Sequence, residues 1–258
     1  MWSELRNGEF VPSDFELTFG SGSTLAPVEV RTAENSAVIS GAVDRVDLFE
    51  AGGQTFFRVV DYKTGKKKFD YTDLLEGRGL QMLIYLFALR EHGAAYYGTN
   101  IHPAGVLYVP AHDDLLFLSQ RPEAGGEAKD REASHRREGL LLDDPILLQA
   151  MEPSGNSSPK LLPYKMQKNG PVGNLMDLDQ LNLLERYVNR TLADMTDQIF
   201  GGSVTPNPYV RGSMGSCTYC PYGGVCHPDV CASELRSLKS TKPQEFWARL
   251  AQKEERNG

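Results

Sequence analysis

Residues 41–65 read GAVDRVDLFEAGGQTFFRVVDYKTG, and the fold turns on how this stretch is parsed. Two runs rich in β-branched and aromatic residues flank Glu50, Ala51, Gly52 and Gly53, which predicts two adjacent strands joined by a turn. Asp44 falls on the first strand and Asp61 on the second, both near one end of the resulting sheet. Alternation of side chains along a strand puts Lys63 on the same face as Asp61. Two acids able to share a divalent cation, with a lysine beside them, are what metal-dependent phosphodiester hydrolysis needs. The first expectation is a nuclease.

Cleaving a phosphodiester requires charge neutralisation at the phosphate and an activated water, and Mg²⁺ or Mn²⁺ supplies both. Such hard cations take oxygen ligands. Asp44 and Asp61 offer carboxylates, and Tyr62 offers a backbone carbonyl. Lys63 suits the task of orienting the attacking water or steadying charge that develops on the phosphate. A D-x-K triplet alone is common, and an aspartate at a strand end is usually a solvated or turn-capping group. The surrounding sequence has to carry the weight.

Outward from this stretch, residues 26–48 read as strands with polar interruptions. A helix is predicted over 72–92, opened by a capping-box-like Asp73 and Glu76 and ended by Gly93. Gly77 and Gly79 weaken its first turns, so Leu80 to His92 is its firm part. Gln81 and Tyr85 lie four apart and share one helix face. GVLYVP (105–110) predicts another strand. Residues 119–139 are polar and charged and read as an exposed or partly disordered insertion, which extends to about 174 around a brief LLPYKM suited to a peripheral strand. An amphipathic helix is expected over 177–200, with Leu181, Leu184, Val188, Leu192, Met195 and Ile199 at helical spacing and Gly201 and Gly202 ending it. The organisation expected is an α/β core over residues 1–200 and a cysteine-rich segment over 201–258, closed by a short helix around 243–252.

The chain has 258 residues, 40% of them hydrophobic and 24% charged, which is ordinary for a globular protein with a sizeable core. A net charge of −7 argues against broad adhesion to nucleic acid. A local basic groove is still compatible with it, since Lys63, Lys66, Lys67, Lys68 and Arg78 cluster beside the two acids. No apolar run is long enough to cross a bilayer, and the start, MWSELRNGEF, lacks the apolar region of a secretory signal, so no membrane role and a cytoplasmic location are expected. Cys217, Cys220, Cys226 and Cys231 are the only cysteines and fall within fifteen residues. In a cytoplasmic protein that clustering favours a metal or cluster over disulfides, with zinc and iron–sulfur both open.

An acid in GxxDRxD, a short hairpin, apolar-apolar-D-Y-K, and a helix carrying Q-x-x-x-Y follow one another in this chain. That order and spacing resembles the PD-(D/E)XK nucleases of the RecB-like group. The resemblance implies a mixed central sheet flanked by helices, with Asp44, Asp61 and Lys63 as the active-site triad. It also implies that Gln81 and Tyr85 lie beside that site and help place the DNA strand. Arg45 and Asp47, in the same motif, read as a structural ion pair with Glu16 as a further partner.

CTYCPYGGVC, spaced C-x₂-C-x₅-C, lies far downstream of the D-Y-K and follows EGLLLDDP and IFGGSVTPNPY. Behind a RecB-like motif this is similar to the iron–sulfur segment of AddB-type subunits of bacterial helicase–nucleases. The likeness spans nearly the whole chain. It implies a metal-dependent exodeoxyribonuclease in double-strand-break repair and recombination, with DNA and an AddA-type helicase as partners. It also implies a [4Fe–4S] cluster on Cys217, Cys220 and Cys226. In that family a fourth cysteine and an active-site histidine come from upstream, whereas the first cysteine here is Cys217 and the first histidine is His92. The chain is therefore expected to be a C-terminal fragment, with Cys231 a free thiol and His227 non-ligating. No GxxxxGK[ST] occurs, so motor activity is not expected of these residues. Two alternatives stay open: a stand-alone RecB-like exonuclease similar to the CRISPR-associated ones, and a silent DNA-binding scaffold that keeps the fold.

Overall fold

The strands expected from residues 41–65 form the middle of a six-stranded mixed sheet. The computed structural model describes residues 6–65, 67–111, 135–211, 214–218, 220–226 and 236–255. Its strands begin with β1 (Val11–Phe19), a small hairpin β2 (Val28–Arg31) and β3 (Ser36–Ile39), then β4 (Gly41–Ala51) and β5 (Gln54–Lys63). Helices α1 (Tyr71–Leu75), α2 (Gln81–His92) and α3 (Ala94–Tyr97) lead to β6 (Ile101–Pro110). Next come β7 (Glu138–Leu142), α4 (Pro145–Met151), the hairpin β8 (Tyr164–Gln167) and β9 (Gly170–Gly173), β10 (Leu175–Met176) and α5 (Leu178–Phe200). The C-terminal part holds β11 (Tyr209–Arg211), β12 (Met214–Gly215), α6 (Gly223–Cys226), β13 (Arg236–Ser237) and α7 (Pro243–Glu255).

The large sheet runs β1-β4-β5-β6-β7-β10. β5 and β6 are parallel, as are β7 and β10, while the other neighbours are antiparallel. Gly52 (φ 58°) and Gly53 (φ 74°) supply the left-handed pair that a two-residue hairpin turn demands. That turn sets the register, with Ala51 opposite Gln54 and Arg45 opposite Val60. The parallel step from β5 to β6 needs a crossover, and α1 to α3 provide it, with α2 packed on both strands. Met82, Leu83, Leu86 and Leu89 of α2 are fully buried there beside Val59, Val60, Val106 and Leu107.

The helix expected over 72–92 is two helices. The N-cap is Asp70, whose carboxylate accepts the N–H groups of Thr72 and Asp73, and not the Asp73–Glu76 pair. Gly77 (φ 70°) and Gly79 (φ 67°) then adopt a conformation no helix can contain, which divides α1 from α2. Asp177 and Gln180 form a reciprocal capping box at the start of α5. Its core face narrows toward its end: Leu181, Leu184, Val188, Leu192 and Thr196 are buried, but Met195 is 37% and Ile199 76% exposed. The expected peripheral strand is β8, which among the described residues pairs with β9 alone. Residues 112–134, which include the first part of the expected insertion, lie outside the described residues, as do Cys231 and His227; within the rest, Glu138–Leu142 joins the sheet as β7. No helix among the described residues is long and apolar enough to cross a membrane.

Candidate active site

Asp44 and Asp61 meet where the β4–β5 ladder ends. The last paired residues are Arg45 and Val60, so the two aspartates stand opposite each other one step further on. There the Asp44 carboxylate takes over from the ladder and accepts the Tyr62 N–H at 2.8 Å. Lys63 Nζ lies 2.5 Å from Asp61 Oδ2. Asp61 is 1% exposed. Burial pushes its carboxyl above the ordinary carboxylate range, a push reinforced by the Asp44 charge and opposed by the Lys63 contact.

The register divides the hairpin into two faces. Asp44, Val46, Val59, Asp61 and Lys63 share one, and Arg45, Asp47, Arg58, Val60 and Tyr62 share the other. On the second face Asp47 is gripped by two arginines. Arg45 Nη2 donates to Asp47 Oδ2 at 2.9 Å and Arg45 Nε lies 2.7 Å from Oδ1. Arg58 Nε donates to Oδ2 at 2.8 Å. All three are at most 1% exposed. The expected Arg45–Asp47 pair is thus present, but its further partner is Arg58, directly opposite Asp47, and not Glu16. Glu16 is an exposed residue of β1 at φ 51°. Arg45 Nη1 also donates to the Tyr62 hydroxyl at 2.6 Å.

Tyr108, opposite Asp61 on β6, was not singled out by sequence. Lys63 and Lys67 lie 5.9 Å and 6.0 Å from its ring centre. Burial and the Asp61 charge raise its hydroxyl to about 12. Of the expected basic cluster, Lys67 approaches the acids, whereas Arg78 is held by Asp73 and stacked on Tyr209 at 3.7 Å. Lys66 lies outside the described residues. On α2, Gln81 Nε2 donates to Tyr85 Oη at 2.8 Å, as their spacing predicts. The Tyr85 ring packs edge-on against Phe19 and lies beside Gly41, three residues before Asp44.

Two carboxylates, one buried with a single lysine against it, suit a hard divalent cation, since Asp61's burial leaves a charge in want of further compensation. The cysteines differ. Cys217, Cys220 and Cys226 are free thiols on a turn and the one-turn helix α6, with Cys220 exposed. Among the described residues no three His, Cys, Asp or Glu side chains form a group able to hold a metal ion. What the segment does have is a firm seat on α1: Arg211 pairs with Asp70 at 2.7 Å and Asp73 at 3.1 Å, and Arg236 with Glu76 at 2.8 Å.

Arg58 and Tyr108 were the residues sequence reading missed. Counting back from the Gly52–Gly53 turn places Arg58 against Asp47, so its signal was available. Tyr108 depends on a parallel register set across a crossover, which no local pattern encodes.

The family model described as the PD-(D/E)XK nuclease superfamily matches residues 1–227. Among curated relatives, the B subunit of the ATP-dependent helicase/deoxyribonuclease of Acetivibrio thermocellus is 31% identical over 97% of this chain. The proteins of the same description from Thermoanaerobacter sp. strain X514 and Clostridium kluyveri are 29% and 30% identical over 98% and 96% of it. The chain spans 22% of the length of each of these relatives. A match over this much of the sequence, on a mixed sheet that juxtaposes Asp44, Asp61 and Lys63, establishes that the chain belongs to the PD-(D/E)XK nuclease superfamily.

Proposed function

We propose that this chain cleaves DNA by metal-assisted hydrolysis, as the exodeoxyribonuclease domain of an AddB-type helicase–nuclease component acting in cytoplasmic double-strand-break repair and recombination. The observation that carries the reading is the ladder end, where Asp44 and Asp61 face each other with Lys63 on Asp61. The two carboxylates and the Tyr62 carbonyl would hold Mg²⁺ or Mn²⁺. When bound, the cation neutralises phosphate charge and eases ionisation of the attacking water. Lys63 turns from Asp61 to orient that water and to steady charge on the phosphate. Lys67, beside Tyr108, draws the DNA backbone toward the acids, and the Gln81–Tyr85 pair bounds the strand's path.

The relatives' description as part of a helicase/deoxyribonuclease supports DNA as substrate and an AddA-type helicase as partner. Cys217, Cys220 and Cys226 would provide three thiolates of a [4Fe–4S] cluster, with residues 1–200 the nuclease core and 201–258 the cysteine-rich segment. Iron and zinc content of an anaerobic preparation of the full-length protein tests the cluster, and stoichiometric zinc without iron refutes it. For the nuclease, Asp61→Ala should lose about three orders of magnitude or more of Mg²⁺-dependent DNA cleavage with its circular dichroism unchanged. Retained cleavage in a clean preparation refutes the assignment.

A further inference from the structure

The two faces of the β4–β5 hairpin are joined through one residue. Tyr62 sends its backbone N–H to Asp44 on the catalytic side, and its hydroxyl accepts from Arg45 on the other. We propose that Tyr62 is a positioning residue that transmits the rigidity of the buried Arg45–Asp47–Arg58 unit to the Asp44 carboxylate, so that the metal-holding geometry is set from behind the sheet. This rests on the nuclease reading of Asp44 and Asp61.

Asp44 lies past the last β4–β5 ladder pair, so no backbone pair ties β5 to β4 at its level, although β5 stays paired with β6 on its other edge through Lys63. Its bond to the Tyr62 N–H replaces that pairing, and its precision depends on how firmly Tyr62 is fixed. Tyr62 is half-buried near the end of β5, next to the loop that begins at Thr64. The β6 ladder holds this strand end along one edge, and without a further tie the other edge would part from β4. The Arg45 bond at 2.6 Å counters that, and Arg45 is itself immobilised by Asp47 through two of its guanidinium nitrogens. Arg58 closes the unit and stacks 5.0 Å from the Phe10 ring centre, so nothing in the chain of contacts is free to swing. The guanidinium of Arg45 also lies 5.6 Å from the Tyr62 ring centre, which restrains the ring as well as its hydroxyl. Partners that orient a metal's carboxylate ligands govern affinity at a distance of one bond, and their loss typically weakens binding by about tenfold or more.

The test is calorimetric titration of Mn²⁺ alone into the chain, well below its melting temperature, for the parent, Tyr62→Phe, Arg45→Lys and Asp61→Ala. Tyr62→Phe should weaken Mn²⁺ binding roughly tenfold and quicken hydrogen exchange at its own amide. A purely stabilising hydroxyl would lower the melting temperature and leave the affinity of the folded chain untouched, so parent-like affinity in folded Tyr62→Phe overturns the proposal. Should Tyr62→Phe not fold, Arg45→Lys decides. Its single ammonium keeps a charge beside Asp47 but cannot also reach the Tyr62 hydroxyl, so weakened binding supports the proposal and unchanged binding overturns it. Asp61→Ala separates the two levels. If it binds Mn²⁺ like the parent, the metal-site reading itself fails; if it does not bind while Tyr62→Phe binds normally, only the positioning role fails.

Discussion

The β4–β5 hairpin and the cysteine-bearing segment are both built around charged side chains, yet they use charge in opposite ways. In the hairpin, Arg45, Asp47, Arg58 and Asp61 are at most 1% exposed, so each contact is formed at a high desolvation cost and tolerates no missing partner. In the segment, Arg211 and Arg236 reach α1 across the surface, with side chains 40% and 41% exposed, and water can replace what either loses. The first arrangement fixes geometry and the second fastens one piece to another. A site that must hold two carboxylates face to face belongs in the first.

The sharpest way to break the contrast is Asp47→Ala. It removes the carboxylate that two buried guanidinium groups share and should cost about 3–5 kcal/mol in denaturant unfolding, a loss that no single substitution in the cysteine segment should match. A smaller expected effect comes from Lys63→Met. It removes the charge proposed to act on the phosphate and should lower the cleavage rate by about 10²–10³ while Mn²⁺ binding persists, as read by single-turnover kinetics beside calorimetry. Smaller again is Arg211→Gln, where a surface pair is lost. Stability should fall by about 1 kcal/mol or less, with hydrogen exchange quickening around Tyr209–Arg211 and unchanged in β4 and β5.

The subtlest effect concerns protons. Burial raises the Asp61 carboxyl above its ordinary value of 3.8, so the folded metal-free chain keeps that proton where the unfolded chain has released it. The stability this contributes is full below the ordinary value and is lost as pH rises through the raised one. Asp61→Asn should abolish that loss and melt higher than the parent at neutral pH without metal. An unchanged pH profile in thermal melts would remove the electrostatic account of this residue.

Much of the hairpin was legible because its signals are local. Alternation assigned the faces, two glycines set the turn, and the turn set the register that brings Asp44 to Asp61. The Gln81–Tyr85 hydrogen bond followed from helical spacing in the same way. Glu16 was a poor choice of partner for Asp47 because β1 pairs Phe15 with Arg45 and Leu17 with Val43, which puts Glu16 at the level of Asp44 and leaves Pro12 beside Asp47. Met195 and Ile199 keep helical spacing where the buried face of α5 has narrowed to Thr196, since periodicity marks a face and not what covers it. The division of α1 from α2 was half visible: both glycines were noticed, but Asp70 as the true cap depends on the chain's path out of β5. The cysteine spacing named a chemistry, whereas the ligand geometry it needs is not set by spacing alone.

The central claim is that Asp44 and Asp61 together hold a divalent cation. Calorimetric titration of Mn²⁺ into the parent and Asp44→Ala chains tests it most directly. Loss of a ligand should weaken binding by about 100-fold or more, beyond what loss of a supporting hydrogen bond produces. Equal affinity in the two chains would contradict the account.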